Sequence, residues 1–424
     1  MSFLRPRFPG ERALVSGIAV DAVGSGMYVP FSLVFFHHVT DLPLPLIGLV
    51  LTVTGLVGIA VVPVVGIAVD RFGARTMQIS LYVVRGLSFA CFPLAHTLPV
   101  FAVVALLTSV GTRAFPAAQE ARLAELAEGT DRDRLQALSR SLSNVGLGAG
   151  TLMASVAIAT AGDFGYTATA WLNGASFLVA GFLASRTPAA TPPGTPATVR
   201  THGDGYRVVA KDRPFLVLVC ANLLVALGFS ALTSLLPLYA TGWLDIPEGL
   251  VGSAFLLNTV MCAALGVPVA ALTRRCFATR PRAAAVGAAL FSLSFLTQAA
   301  LDTVRPHGVP LLLAGLLVAV FIMTVGEMVY VPSSGALSQF AAPQRLRGRY
   351  LATYQLSRSL AYALGPTLFT SLLTVDGRLP WLLVATTAAF GSLLLVRVER
   401  HLPADAAAFV PAPAPGSTTT TAVK

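Results

Sequence analysis

The amino-acid sequence predicts an all-α membrane protein with 12 transmembrane helices in two pseudo-symmetric six-helix bundles. Three observations lead to this prediction: a hydrophobic content of 55%, a charged content of only 11%, and apolar runs that recur along all 424 residues. The mean hydropathy of +0.75 is too high for a soluble fold, which would leave much apolar surface in water. A helix needs about 20 apolar residues to cross about 30 Å of hydrocarbon, and runs of this length are present.

The apolar runs divide the chain into two similar sets. The predicted spans are 14–36, 46–69, 76–95, 100–119, 142–161, 167–183, 215–240, 249–273, 283–301, 311–336, 351–374 and 381–398. A Pro- and Thr-rich segment separates the sixth span from the seventh, and its composition is typical of a flexible linker. The predicted organisation is therefore an N-terminus at 1–13, bundles at 14–185 and 214–400, a linker at 186–213 and a disordered tail at 401–424.

Short matches between the two sets indicate an internal repeat. The sequence LSRSL occurs at 138–142 near the start of span five and again at 356–360 in span eleven. The triplet Val-Pro-Val occurs at 62–64 in span two and at 267–269 in span eight. Matches in the same order in both halves favour duplicated bundles, which are common in transporters.

The positive charge of the chain predicts its orientation in the membrane. The net charge is +10, and 24 of the 29 Lys and Arg residues lie in the termini and in alternate loops. Only Arg305 and Arg378 lie in the opposite loops. Because positive loops stay in the cytoplasm, both termini are predicted to be cytoplasmic. No basic face alternates with aromatic residues, so this charge does not indicate nucleic-acid binding.

The sequence lacks the motifs of enzymes and metalloproteins. The four cysteines lie in or beside apolar runs without a CxxC spacing, so neither a metal site nor a disulfide framework is expected. Neither a Walker A loop nor a Ser/His/Asp arrangement is apparent. We therefore expect no catalytic activity and no cofactor, with a proton gradient as the driving force.

The loop between spans two and three carries the most distinctive motif. Residues 66–75 read GIAVDRFGAR, which follows the pattern G-x-x-x-D-R-x-G-x-R. This pattern resembles the loop-2/3 signature of the major facilitator superfamily, although Ala74 replaces one basic residue of that signature. The resemblance implies a cytoplasmic gate formed by Gly66, Asp70, Arg71, Gly73 and Arg75. Gly66 would allow close helix approach, while the charged side chains would bind a neighbouring helix and favour the outward-facing state.

Two longer blocks extend the resemblance to nearly the whole chain. Span four and its loop read GTRAFPAAQEARLAEL, and span ten begins a block that reads GEMVYVPSSGALSQF. Both are similar to segments of twelve-span drug and proton antiporters of the multidrug efflux type. In that fold, spans one, four, seven and ten line a central cavity that opens alternately to the two sides of the membrane.

Charged residues inside the spans are the candidates for proton coupling. Asp21 in span one and Glu327 in span ten are the clearly intramembrane acids, and Arg113 lies in span four. All three lie about six to nine residues from the cytoplasmic ends, or roughly 9 to 14 Å deep. A desolvated acid can hold a proton at neutral pH and release it when an arginine approaches or water enters. We expect Asp21 or Glu327 to carry the proton and Arg113 to tune the acid; a static buried ion pair is the alternative.

The predicted substrate cavity contains one polar and several aromatic side chains. Asn222 in span seven would complete the ring of polar residues, and Phe31, Phe115 and Tyr330 would offer an apolar wall. The alternative for these aromatic residues is contact with lipid. The repeat equates Arg358 with Arg140, near a cytoplasmic helix start, so we expect snorkelling or a gate contact for Arg358 rather than substrate binding.

These observations favour a secondary transporter that exports small hydrophobic or amphipathic molecules in exchange for protons. The alternatives are a solute importer or facilitator on the same scaffold and, from another class, a non-transporting membrane sensor or scaffold. The expected partners are a small-molecule substrate, protons and the lipid bilayer. We expect a monomer in the cell membrane, with no nucleic-acid partner.

Overall fold

The helices follow the predicted apolar runs, and the chain reverses direction after each of them. The structure is a computed structural model that describes residues 10–28, 32–40, 42–127, 129–188, 204–304, 308–343 and 346–409. The helices are α1 Glu11–Tyr28, α2 Ser32–Thr40, α3 Leu44–Phe72, α4 Ala74–Cys91, α5 Leu98–Leu126, α6 Gly129–Ala161, α7 Asp163–Ser185, α8 Asp204–Lys211, α9 Arg213–Gly242, α10 Glu248–Cys276, α11 Arg280–Val304, α12 Val309–Ala341, α13 Arg347–Leu373, α14 Leu379–Val398 and α15 Ala404–Ala407.

The fold has the predicted 12 spans. Within the described residues, ten helices are long and apolar enough to cross a membrane. The other two spans are α1 with α2, on either side of residues 29–31, and α13. Both contain charged residues, Asp21 in the first and Arg358 in the second, which lower their hydropathy. The prediction of an all-α membrane fold is confirmed.

The two bundles repeat the same helix pairing. In the N-terminal bundle α1 packs on α6 and α7, α3 on α5, and α4 on α5 and α7. In the C-terminal bundle α9 packs on α13 and α14, α10 on α12, and α11 on α12 and α14. Between the bundles, α3 packs on α13 and α6 packs on α10. The contact between spans two and eleven and the contact between spans five and eight are therefore equivalent under the pseudo-symmetry.

Small residues allow the closest helix contacts. A Cβ added at Gly146 would lie 2.4 Å from the Cβ of Ala22, and one added at Gly150 would lie 2.0 Å from the carbonyl oxygen of Val23. The next glycine of this run, Gly148, faces α10 across the bundle interface at Thr259. The glycines of α6 therefore serve helix packing.

The predicted linker and tail contain short ordered segments. Helix α8 occupies the last part of the predicted linker 186–213, because one face of this amphipathic segment buries Val209. In the predicted tail 401–424, α15 packs on α11 and α12, and Arg280 donates to the backbone carbonyl of Ala406 at 3.0 Å. Residues 189–203 and 410–424, which contribute most of the Pro and Thr, lie outside the described residues.

Candidate functional site

A cavity of about 530 Å³ lies between the two bundles. This volume is within the usual range of small-molecule sites, about 300 to 1,000 Å³. Its walls come from α1, α2, α3, α4, α5 and α13 and from the turn after α4. The lining residues are Tyr28, Ser32, Phe36, Leu51, Thr54, Gly55, Phe89, Phe92, Ala105, Thr108, Ser109, Thr112, Arg113, Pro116, Gln355, Arg358, Ser359, Tyr362 and Pro366.

Two arginines from opposite bundles line this cavity. Arg113 on α5 donates through Nη1 to the backbone carbonyl of Ser359 on α13, at 3.0 Å. Arg358 on α13 is exposed within the cavity wall. Neither guanidinium forms an ion pair with a described carboxylate. Both are therefore cations at the surface of the cavity that have no carboxylate partner among the described residues.

Asp21 forms an ion pair with Arg85. Nη2 of Arg85 lies 3.3 Å from Oδ1 of Asp21, and the two side chains are 6% and 13% exposed. The guanidinium carbon of Arg85 lies 3.8 Å from the ring centre of Phe177 and 4.7 Å from that of Phe115. Because α4 packs between α5 and α7, these rings direct Arg85 toward α1. The described ion pair of Asp21 thus differs from the predicted partnership with Arg113.

Glu327 has an amide neighbour rather than a cation. Nδ2 of Asn258 on α10 donates to Oε2 of Glu327 at 2.9 Å and lies 3.0 Å from Oγ1 of Thr324. Tyr362, on the cavity wall, lies within electrostatic range of Glu327, Arg113 and Arg358. In the described part of the chain Glu327 makes no ion pair. Of the three predicted proton-coupling residues, only Arg113 lines the cavity itself.

The predicted cavity residues lie inside the bundles. Nδ2 of Asn222 donates to Oγ of Ser357 at 2.9 Å, and Oδ1 accepts a hydrogen bond from the hydroxyl of Tyr330 at 3.2 Å. This network joins α9, α12 and α13, so the structure brings Asn222 and Tyr330 together in the interior of the C-terminal bundle.

Phe115 and Phe31 are the other two predicted cavity residues. Phe115 is buried beside Tyr82, with ring centres 4.5 Å apart, and it also contacts Arg85. None of Asn222, Tyr330 and Phe115 lines the cavity in this structure, because each side chain is used in packing within its own bundle. Phe31 lies outside the described residues.

The loop-2/3 motif forms a sharp turn between α3 and α4. Gly73 joins the two helices with φ +84°, a backbone conformation that favours glycine. Arg71 lies over the ring of Phe72, 5.3 Å from its centre, and Arg75 donates to the backbone carbonyl of Ser185 at the end of α7. Gly66 lies inside α3, where an added Cβ would meet no atom within 4 Å. The side chain of Asp70 lies outside the described residues.

Residues from the end of α5 support this turn. Oε1 of Glu125 accepts a hydrogen bond from the backbone nitrogen of Ala74 at 3.2 Å, at the start of α4. Arg122 is fully buried, pairs with Glu125 at 2.9 Å and donates to Oγ1 of Thr187 at 2.8 Å. The described contacts of the motif thus remain within the N-terminal bundle and the segment that follows it.

The described side-chain hydrogen bonds between the bundles lie at mid-span, where Arg113 donates to Ser359, and at the end of the molecule opposite the start of α1. Oγ1 of Thr367 donates to the backbone carbonyl of Gly48 at 3.0 Å and lies 2.7 Å from Oγ1 of Thr52. At the same end, the hydroxyl of Tyr166 donates to Glu248. Helices α3 and α10 begin at this end, whereas α6 and α13 finish there. Among the described residues, no side-chain hydrogen bond joins the bundles at the end where α1 begins, so the bundles are less closely joined there.

Comparison with known proteins agrees with this architecture. The family description "Major Facilitator Superfamily" matches residues 14–366. The chain belongs to the Major Facilitator Superfamily. Since that match covers both bundles, the protein is a multi-pass membrane transporter of this superfamily.

Individual relatives are distant. The chain is 26% identical over 307 residues to multidrug resistance protein MdtH of Edwardsiella ictaluri, covering 71% of each chain. It is 20% identical over 375 residues to the uncharacterized MFS-type transporter YhjO of Bacillus subtilis, covering 88% of this chain and 87% of that one. A bacterial homologue of the iron transporter ferroportin, solved in its inward-facing state, superposes with a TM-score of 0.74 at 14% identity, over 92% of this chain and 98% of that one.

Several site residues of this superfamily member escaped sequence analysis. Neither the ion pair of Arg85 nor the cavity position of Arg358 was predicted. Asn258 and Tyr362 were not identified, although each is a polar side chain inside an apolar run. A polar side chain inside an apolar span was the sequence signal that could have identified these residues. Polarity alone does not show whether the side chain faces the cavity, another helix or lipid.

Proposed function

We propose that the chain is a proton-coupled exporter of small amphipathic compounds that works by alternating access. The observation that carries the proposal is a cavity of about 530 Å³ between the two bundles, lined by residues of both. A cavity in this position can be exposed to either side of the membrane by rocking one bundle against the other. The multidrug resistance protein among the relatives supports export over import.

The arrangement of the bundles corresponds to one state of this cycle. With both termini in the cytoplasm, as the Lys and Arg distribution predicts, the end where the described residues form no hydrogen bond between the bundles would face the cytoplasm, which supports an inward-facing state. The contacts of Thr367 with Gly48 and of Tyr166 with Glu248 would then close the outer side. In the outward-facing state these contacts would break and the cytoplasmic ends would meet.

The loop-2/3 motif would act at the cytoplasmic closure. Its glycine turn at Gly73 and the anchored Arg75 hold the start of α4 in place, while Gly66 faces no neighbour in the present state. A partner helix could approach Gly66 closely when the cytoplasmic ends meet. This supports a gate that is released in the inward-facing state.

We assign proton carriage to Glu327 rather than to Asp21. A charge inside the bilayer is costly unless it is paired or neutralised. Asp21 is paired with Arg85 at 3.3 Å, whereas among the described residues Glu327 accepts a hydrogen bond from the amide of Asn258 at 2.9 Å and forms no ion pair. Protonation would therefore remove an unpaired charge at Glu327 but would break an ion pair at Asp21. The proton gradient is the proposed driving force, with no cofactor.

Transport by purified protein in proteoliposomes with an imposed pH gradient tests the proposal. A panel of amphipathic compounds should include substrates whose movement against their gradient depends on the pH gradient. Glu327→Gln should abolish this dependence and preserve exchange of substrate across the membrane, because the neutral amide mimics the protonated acid. Glu120→Gln, at an exposed acid outside the cavity, is the matched control.

Two results would change the proposal. Unaltered coupling in both Glu327→Gln and Asp21→Asn would remove these acids from the mechanism. Movement of substrate without any dependence on the pH gradient would indicate a facilitator on the same scaffold.

A further inference from the structure

We propose that the cavity between the bundles binds small organic anions, with Arg113 and Arg358 as the two anchors of the negative group. This inference rests on the proposed transport function and narrows its substrate to amphipathic compounds that carry a carboxylate or a similar anionic group. It differs from the sequence-based expectation, in which Arg113 tunes an acid and Arg358 snorkels or makes a gate contact.

The charge of the cavity is the first argument. The described residues that line it include Arg113 and Arg358 but no Asp or Glu. Two guanidinium groups in a partly dehydrated space repel each other and lose hydration. A ligand that supplies negative charge reverses both effects, whereas a cationic ligand adds to the repulsion. The cavity is therefore electrostatically selective for anions.

The pairing of other arginines is the second argument. Five other described arginines form ion pairs: Arg85 with Asp21, Arg122 with Glu125, Arg134 with Glu11, Arg282 with Glu399 and Arg378 with Asp302. Of these five, Arg85 lies inside a span, as Arg113 and Arg358 do. Among the described residues, Arg113 donates to the backbone carbonyl of Ser359, and neither Arg113 nor Arg358 forms an ion pair. A planar guanidinium with unused donors can bind both oxygens of a carboxylate or phosphate.

The opposite wall of the cavity indicates the rest of the ligand. Four lining side chains form an aromatic cluster, with ring centres 5.5 Å apart for Tyr28 and Phe92 and 4.7 Å apart for Phe36 and Phe92. Phe89 joins this cluster at 4.5 Å from Tyr28. Such a surface binds an apolar or aromatic group. The cavity thus combines an apolar wall with two cations, as an amphipathic anion requires.

The positions of the two arginines also connect binding with conformational change. Arg113 belongs to the N-terminal bundle and Arg358 to the C-terminal bundle. Without a ligand, their repulsion opposes closer approach of the bundles around the cavity. An anion bound between them removes this repulsion and attracts both sides. The substrate would therefore stabilise the occluded state more than the open one, which is the requirement for a ligand-driven transition.

Binding of three probes with one naphthyl group tests the charge preference: 1-naphthaleneacetate, 1-naphthaleneacetamide and 1-naphthylmethylammonium. Their affinities for the purified full-length protein can be measured from naphthyl fluorescence. The carboxylate should bind at least about tenfold more tightly than the amide, which corresponds to about 1.4 kcal/mol. Arg113→Gln and Arg358→Gln should each remove most of this difference and leave the affinity for the amide within about twofold.

Control variants separate loss of charge from loss of folding. Arg113→Lys and Arg358→Lys should retain a reduced preference for the carboxylate, because lysine keeps the charge without the bidentate geometry. Arg207→Gln, at an exposed arginine on α8 outside the cavity, should leave all three affinities unchanged. Equal binding of the amide and the carboxylate, or an unchanged preference in both glutamine variants, would overturn the proposal.

Transport measurements distinguish this inference from the proposed function. If the wild type moves the amide and the ammonium as fast as the carboxylate, the chain is a transporter and the anion proposal is wrong. If the carboxylate binds through both arginines but no compound crosses the bilayer, the anion site remains and the transport proposal is wrong.

Discussion

At the scale of residues, the arginines inside the spans divide into two kinds. Arg85 is enclosed by the rings of Phe177 and Phe115 and forms an ion pair with Asp21. Arg113 and Arg358 lie on the cavity surface and have no carboxylate partner in the described part of the chain. The first arrangement is suited to holding α1, α4 and α5 together, because the charges neutralise each other within one bundle. The second leaves charge available to a ligand.

Removal of the arginine from the Asp21 ion pair should destabilise the N-terminal bundle. Arg85→Gln leaves a carboxylate only 13% exposed without its cation. Breaking one side of a buried pair typically costs about 3 to 5 kcal/mol. We therefore expect a lower thermal unfolding temperature for Arg85→Gln in detergent, measured by intrinsic fluorescence.

The double variant provides the decisive comparison. In Asp21→Asn/Arg85→Gln both charges are absent, so the melting temperature should recover a large part of the loss seen in Arg85→Gln. A double variant no more stable than Arg85→Gln would show that packing against Phe177 and Phe115, rather than the ion pair, is what Arg85 contributes.

Sequence analysis identified charged residues in the spans but not their partners. Asp21, Arg113 and Glu327 stand out because each interrupts an apolar run. Their partners depend on the rotation of each helix and on which helices are neighbours. The α4 helix turns Arg85 toward Asp21, and α10 brings Asn258 to Glu327. Neither contact can be predicted from the spacing of residues along a single span.

At the scale of elements, the contact between α1 and α6 depends on residues without side chains. A Cβ at Gly150 would lie 2.0 Å from the carbonyl oxygen of Val23 and 2.8 Å from the nitrogen of Met27. Both atoms belong to the backbone of α1 and cannot rotate away. The two helices would have to separate to admit even a methyl group.

Gly150→Ala should therefore destabilise the protein, in contrast to Gly266→Ala. Overpacking of this kind costs about 1 to 3 kcal/mol. At Gly266, inside α10, an added Cβ meets no atom within 4 Å, so alanine should be neutral or stabilise the helix by up to about 1 kcal/mol. Melting temperatures of the two variants in the same detergent provide the test. Equal effects would show that close packing does not limit stability at the α1–α6 contact.

The span positions were predictable from sequence, whereas the helix ends were not. Twelve apolar runs correspond to the spans because burial in lipid requires apolar side chains over the whole length. Helices extend beyond the hydrocarbon region, as α6 does by starting at Gly129 instead of at the predicted residue 142. These extensions are amphipathic and charged, so hydropathy does not identify them. The short helix α8 escaped prediction for the same reason.

At the scale of the whole molecule, the described contacts between the bundles include polar ones at the end opposite the start of α1. Thr52, Thr367 and the carbonyl of Gly48 form one contact, and Tyr166 with Glu248 forms another. Hydrogen bonds of this kind can break and reform at modest cost, as a moving interface requires. The sequence did not reveal this state, because the same residues must be compatible with both the closed and the open arrangement.

A disulfide at this contact should stop transport. The hydroxyl oxygens of Thr52 and Thr367 are 2.7 Å apart, so cysteines at both positions should form a cross-link after the four native cysteines are replaced by serine. Oxidation would hold the bundles together at the end opposite the termini and prevent opening there, and a reducing agent should restore transport in proteoliposomes. Each single cysteine variant should be unaffected by oxidation. Undiminished transport by fully cross-linked protein would contradict alternating access at this end.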